Sequence, residues 1–196
     1  MKISYLSNDE YIVNGIYVQN LPNCRFCVFD FEGTGINFRT EYITQIGAVI
    51  IENNNILTSK SFNSLVNSPK QIPPAVEELT GISNQDMFCA PPFPEVYEQF
   101  VEFIGSTVLV TQAGYEYDVP LLEKHCSLHN LPMIDNSIID TKALFTNIHP
   151  DIAEVISTDF LIKYYNIDTS DLKRHDALDD CILVGRIFIN IMKEYK

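Results

Sequence analysis

Between Cys24 and Val66 the chain offers three apolar segments of strand length in quick succession: Cys24 to Phe31, Tyr42 to Ile51, and roughly Ile56 to Val66. Glu52-Asn53-Asn54-Asn55 makes the tight connection between the last two, because asparagine tolerates the left-handed backbone that such turns demand. An antiparallel meander follows. After Pro94 the period changes: Val96, Tyr97, Phe100, Phe103 and Ile104 fall on one face of a helix that Gly105 ends. Strands and helices then alternate, with strands at Thr107 to Thr111 and Ser137 to Ile139, and helices at Val119 to Asn130 and Thr158 to Tyr165. A final helix runs from about Asp176 to Tyr195, where Leu178, Cys181, Ile182, Gly185, Phe188, Ile189 and Met192 form one apolar stripe. A meander followed by β-α-β-α units predicts an α/β domain with a mixed sheet and helices against its faces.

Upstream, Tyr11-Ile12-Val13-Asn14-Gly15-Ile16-Tyr17-Val18 reads as a hairpin, since Asn-Gly supplies both positive-φ residues of a type I′ turn. The expected organisation is a hairpin extension over residues 1–23 and one domain over residues 24–196. Five cysteines, an odd number, in a chain without a basic-then-apolar leader fit a reducing, cytoplasmic setting. Cys24 and Cys27 have the spacing of a zinc pair, but no second pair exists and the segment reads as a buried strand, so both belong to the core. No apolar run approaches the roughly 18–20 residues that cross a bilayer, so no membrane association is expected. The net charge of −13 argues against a processive clamp on nucleic acid, whose affinity comes from lysine and arginine. It does not exclude an enzyme that gathers acids around cations and so reverses the local sign.

Three segments carry candidate chemistry. Val28-Phe29-Asp30-Phe31-Glu32-Gly33-Thr34-Gly35 is an apolar strand ending in acids at i and i+2, whose carboxylates therefore share one face. Such a pair chelates a cation, and such a segment is equally a solvated strand end running into a glycine turn. Arg174-His175-Asp176-Ala177-Leu178-Asp179-Asp180 opens the last helix. There a histidine just outside the first turn and an aspartate inside it can converge, although an acidic helix start stabilised by the macrodipole looks the same. Asp118, in Tyr117-Asp118-Val119-Pro120-Leu121-Leu122, and Asp140 both sit where capping is the default role.

Taken in order, these segments resemble the DEDDh exonucleases, the family that includes the proofreading epsilon subunit of bacterial DNA polymerase III. Asp30-Phe31-Glu32-Gly33-Thr34-Gly35 is similar to its first motif, followed by Gln45-Ile46-Gly47-Ala48-Val49 on the neighbouring strand. Asp118 before Val119-Pro120-Leu121-Leu122 resembles the second motif, and Asp140-Thr141 an Asp-Thr found after it. His175-Asp176-Ala177-Leu178-Asp179-Asp180 resembles the third, with the four-residue gap of the histidine branch. Ile72-Pro73 through Leu79-Thr80-Gly81-Ile82 looks like the family's linker between strands and helices. The resemblance runs from about Cys24 to the C-terminus and departs from the pattern at Ala113 and Gly114, where relatives commonly carry His-Asn.

The resemblance implies a ribonuclease H-like five-stranded sheet with helices on both faces. It also implies 3′-to-5′ exonuclease activity on a single-stranded DNA or RNA end, with a polymerase or other protein as a further partner. Asp30, Glu32, Asp118 and Asp180 would hold two divalent cations, Mg2+ or Mn2+, whose hard character suits oxygen ligands. His175 would act as general base, so that activity falls on acidification. Gly33 and Thr34 would receive the terminal nucleotide and its 3′-hydroxyl. Lys173 and Arg174 next to His175, and Phe31, Tyr115 and Tyr117, are candidates for phosphate and base contacts, set against plain surface and core roles. Two other readings share these residues: a metal-dependent phosphohydrolase of small nucleotides, and a non-catalytic module with the same fold.

Overall fold

The computed structural model describes residues 2–5, 11–14 and 24–194. The meander is present as β3 (Phe26–Gly33), β4 (Ile43–Glu52) and β5 (Asn55–Leu65), after a separate antiparallel pair, β1 (Lys2–Tyr5) and β2 (Tyr11–Asn14). The Gly15 to Val18 half of the expected N-terminal hairpin lies outside the described residues, and residues 11–14 pair with residues 2–5. Asn53 and Asn54 adopt φ of 52° and 59°, the two left-handed residues that a tight β4–β5 hairpin requires.

The helix-rich half supplies α1 (Pro74–Thr80), α2 (Asn84–Cys89), α3 (Phe93–Ile104), β6 (Val108–Thr111), α4 (Asp118–Leu128), β7 (Ile138–Asp140), α5 (Thr141–Ile148), α6 (Thr158–Tyr165) and α7 (Ala177–Glu194). Strands β6 and β7 join the meander in parallel, giving a mixed five-stranded sheet in the order β5-β4-β3-β6-β7. The segment expected as a linker at 72–82 contains α1, and α2 and α5 are further short helices that periodicity did not reveal. Among the described residues no helix is long and apolar enough to cross a membrane.

Alternation along β3 decides where chemistry is possible. Cys27, Phe29 and Phe31 enter the core beneath α3 and α4, whereas Phe26 and Val28 face Cys181, Val184 and Phe188 of α7. Fully burying each such apolar side chain contributes about 1.5–3 kcal/mol, so the register of β3 is firmly held. Asp30 and Glu32 continue the α7-facing row. Cys27 is fully buried and burial pushes its thiol up to about 12, which fits a core side chain rather than a thiolate ligand.

Opposite Asp30 in the β3–β4 register lies Gly47, and opposite Glu32 lies Gln45. The start of α7 presses onto the sheet at this point: a Cβ on Gly47 would stand 2.6 Å from the Leu178 amide nitrogen and closer still to the Ala177 carbonyl. Gln45 reinforces the contact, accepting from Ala177 N at 3.2 Å and donating to Asp176 Oδ2 at 3.3 Å. Gly47→Ala is therefore expected to lift α7 and destabilise the protein by about 2 kcal/mol, or roughly 4–8 °C in melting temperature. An unchanged melting temperature in thermal unfolding would show that the helix start yields without cost.

Candidate active site

Four chain segments converge on one pocket of about 290 Å3, lined by Asp30, Glu32, Asp118, His175 and Asp180 together with Phe31, Gln112, Tyr117, Thr158 and Arg174, among others. Strand β3 contributes Asp30 and Glu32. The loop after β6 turns back into α4, whose first residue, Asp118, is held by the Thr111 hydroxyl at 3.1 Å. At α7, His175 stands outside the helix with φ of 61° and Asp180 inside its first turn. The backbone N–H of His175 donates to Asp180 Oδ2 at 2.8 Å, which folds the segment so that imidazole and carboxylate meet. Ligand atoms of Glu32, His175 and Asp180 lie within 4.8 Å of one another.

The electrostatics of this cluster are unfavourable without a cation. Burial, and then the charges of Asp118, Glu32 and Asp180, raise the Asp30 carboxyl well above the usual range. Burial and the neighbouring Asp180, Asp118 and Asp176 push Glu32 up to about 8, although Arg174 opposes them. Burial pushes Asp118 up to about 7 against its hydrogen bonds. Asp180 is also raised by burial, partly offset by Arg174 and the His175 N–H. Crowded acids that cannot all ionise are relieved by a divalent cation, and four carboxylates offering hard oxygens fit magnesium or manganese. Asp30, Glu32, Asp118 and Asp180 are the residues that would hold such ions.

Gly33 and Thr34 are placed differently from the four acids. The Thr34 side chain is buried, donating to Glu41 Oε2 at 2.6 Å and accepting from Tyr42 N at 3.0 Å. A Cβ on Gly33 would run into the Tyr117 hydroxyl, which itself donates to Gly35 O at 2.7 Å. Only their backbone is left to meet a substrate. Burial acts to raise Glu41, but Lys70 and the hydroxyls of Thr34 and Thr40 outweigh it and hold Glu41 down at about 2, so an ion pair braces this loop. Tyr115 and Phe31 are core side chains, the Tyr115 hydroxyl bonded to Ile138 O at 2.8 Å and the Phe31 ring packed on Phe29 and Phe100, whereas Tyr117 lines the pocket.

Capping describes one of the two aspartates read that way. Asp140 caps α5, accepting from Lys142 N and Ala143 N, and also takes the amides of Ala113 at 3.1 Å and Tyr115 at 3.4 Å. Those bonds fix the loop in which Ala113 adopts φ of 54°. No side chain caps α4, and Asp118 faces the pocket. Arg174, in sequence a candidate for phosphate contact or plain surface, takes a defined place in the fold. It lines the pocket, with Nε donating to Asp180 Oδ1 at 2.9 Å and Nη1 to Asp159 Oδ1 at 3.0 Å. Lys173 instead reaches Thr80 O at 2.8 Å.

The profile of the RNase T exonuclease family matches residues 27–188. The epsilon subunit of DNA polymerase III from Aquifex aeolicus is 29% identical over 175 residues, which cover 89% of this chain and 84% of that protein. The PolC-type DNA polymerase III of Caldanaerobacter subterraneus is 30% identical over 169 residues, covering 86% of this chain but only 12% of that much longer protein. The nuclease domain of 3′hExo, a DEDDh family member solved bound to rAMP, superimposes with a TM-score of 0.75 at 19% identity, covering 88% of this chain and 93% of that one.

Fold and site together define a nuclease on a ribonuclease H-like sheet. The chain belongs to the RNase T exonuclease family, and the 3′hExo domain whose fold it shares is a DEDDh member. Enzymes of this family use divalent metal ions.

Proposed function

We propose that this protein removes nucleotides one at a time from the free 3′ end of single-stranded DNA or RNA and releases nucleoside 5′-monophosphates. The observation that carries the reading is the convergence of Asp30, Glu32, Asp118 and Asp180 beside His175 in one pocket. Two divalent cations, Mg2+ or Mn2+, held there would supply charge stabilisation at the attacking and leaving oxygens of an in-line displacement. His175, aimed at Glu32 and Asp180 from outside α7, takes a proton from the attacking water. Water oxygen bonds to the terminal phosphorus, and the bond from that phosphorus to the 3′-oxygen of the preceding nucleotide breaks. That oxygen leaves as an alkoxide and takes a proton from solvent to become a new 3′-hydroxyl. The backbone of Gly33 and Thr34, braced by Glu41 and Lys70, receives the terminal sugar. The rAMP held by the 3′hExo domain is of the product class expected here, and the epsilon-subunit relative supports association with a polymerase.

Residues 1–23 are assigned as an extension to the nuclease domain at 24–196, in keeping with the family match to residues 27–188, and the location as cytoplasmic. The deciding measurement incubates 5′-labelled single-stranded DNA and RNA with magnesium, manganese or chelator. Products are expected to shorten stepwise from the 3′ end only with metal, and a 3′-phosphate is expected to block them. Cleavage of small nucleotide esters alone would favour a phosphohydrolase, and no turnover of either substrate would favour a binding module.

A further inference from the structure

Among the described residues that line the pocket, Arg174 is the only lysine or arginine. The chain carries a net charge of −13, and a nucleic-acid end brings several phosphates, so the site needs positive charge beyond the carboxylate cluster. Arg174 bridges two depths. Its Nε is on Asp180, whose side chain is 13% exposed, and its Nη1 is on Asp159, which is 76% exposed at the first turn of α6. Two of the five guanidinium N–H groups are thus engaged, leaving donors for a bidentate partner. Asp180 is also one of the acids assigned to metal, and a cation on that carboxylate would repel the guanidinium and weaken their contact. The outer bond to Asp159 would keep the side chain at the mouth of the pocket.

We propose that Arg174 binds the phosphate one nucleotide inward from the scissile one, and that the ion pair with Asp180 is its resting position in the absence of substrate. The assignment rests on the exonuclease reading above. With the scissile phosphate among the acids, Arg174 stands where a strand leaving them would pass, between the largely buried Asp180 and the exposed Asp159. An arginine there discriminates a polynucleotide end from a mononucleotide, because only the former has a second phosphate to offer.

The test measures equilibrium binding of a fluorescent oligothymidylate with phosphorothioate linkages, in magnesium, between 50 and 200 mM KCl. Thymidine 5′-monophosphate serves as a competitor with a single phosphate. Arg174→Ala is expected to weaken oligonucleotide binding about tenfold and to reduce the slope of log affinity against log salt by about 0.7, the share of one phosphate on a single strand. Monophosphate affinity should change less than twofold, and Arg174→Lys should keep most of the slope. Should the alanine variant fail to fold, Arg174→Gln carries the same comparison. An unaltered slope with wild-type-like oligonucleotide affinity overturns the assignment while leaving the exonuclease reading intact. Equal weakening of both ligands also overturns it. Absence of oligonucleotide binding by the wild-type protein overturns the exonuclease reading itself.

Discussion

Asp30→Asn is expected to lower exonuclease turnover at least about a thousandfold, equivalent to about 4 kcal/mol of transition-state stabilisation, and at the same time to stabilise the metal-free protein at neutral pH. Both effects come from one environment. Asp30 lies on a strand packed under α7, its carboxyl raised well above the usual range by burial and by three neighbouring acids. A raised pKa means that the favourable, protonated state is available to the native protein only while pH stays low, and that ionisation above that range costs stability. Asparagine keeps the shape and removes the ionisation. Its stabilising effect, read as melting temperature in chelator, should be absent near pH 4 and grow towards pH 8. A metal-free Asp30→Asn protein that melts lower than wild type at pH 8 would show that the carboxylate charge is already compensated.

The second large effect is the response of the wild-type protein to pH and metal. Glu32 is pushed up to about 8 and Asp118 to about 7, both from ordinary carboxylate values. Groups raised in the folded state contribute stability that is complete below their unfolded pKa and is lost as pH rises through the folded one. The window therefore runs from about 4 to 8, and above pH 5 it is separated from Glu41, which is held down at about 2 and loses its contribution only in stronger acid. In chelator the melting temperature should fall by roughly 5–10 °C between pH 5 and 8.5, the equivalent of about 2–3 kcal/mol. Magnesium or manganese should restore it, with a gain that increases with pH because the ligands must be ionised to bind. A metal-induced gain that is the same at pH 5.5 and 8 would argue that the four acids do not hold the ion.

The strands and the long helix were legible because their apolar patterns extend over many residues: β3 and β4 read as near-continuous apolar runs and α7 as a stripe over five turns. Helices α1 and α2 have seven and six residues, too few to show a period, and α1 buries only Thr80. The acids of the site were legible by motif, and the i, i+2 spacing placed Asp30 and Glu32 on one face. What spacing does not carry is direction. Thr34 follows the same glycine motif yet turns its hydroxyl to Glu41, a partner seven residues away whose own charge is balanced by Lys70. Arg174 beside His175 was indistinguishable from surface until the fold brought Asp159, fifteen residues earlier, to its other side. Gly47 was noted as part of a motif, but its reason, the absence of a side chain where α7 crosses β4, exists only in three dimensions.

Asp140 is not among the residues that line the pocket, yet it ties four backbone amides, those of Ala113, Tyr115, Lys142 and Ala143, into one knot. That knot shapes the stretch between Thr111 and Asp118, so the placement of the Asp118 carboxylate depends on a residue 22 positions further along the chain. A lesion at Asp140 would thus imitate the loss of Asp118. In a survey of inactive variants, an inventory of essential acids would count five where the proposed chemistry employs four.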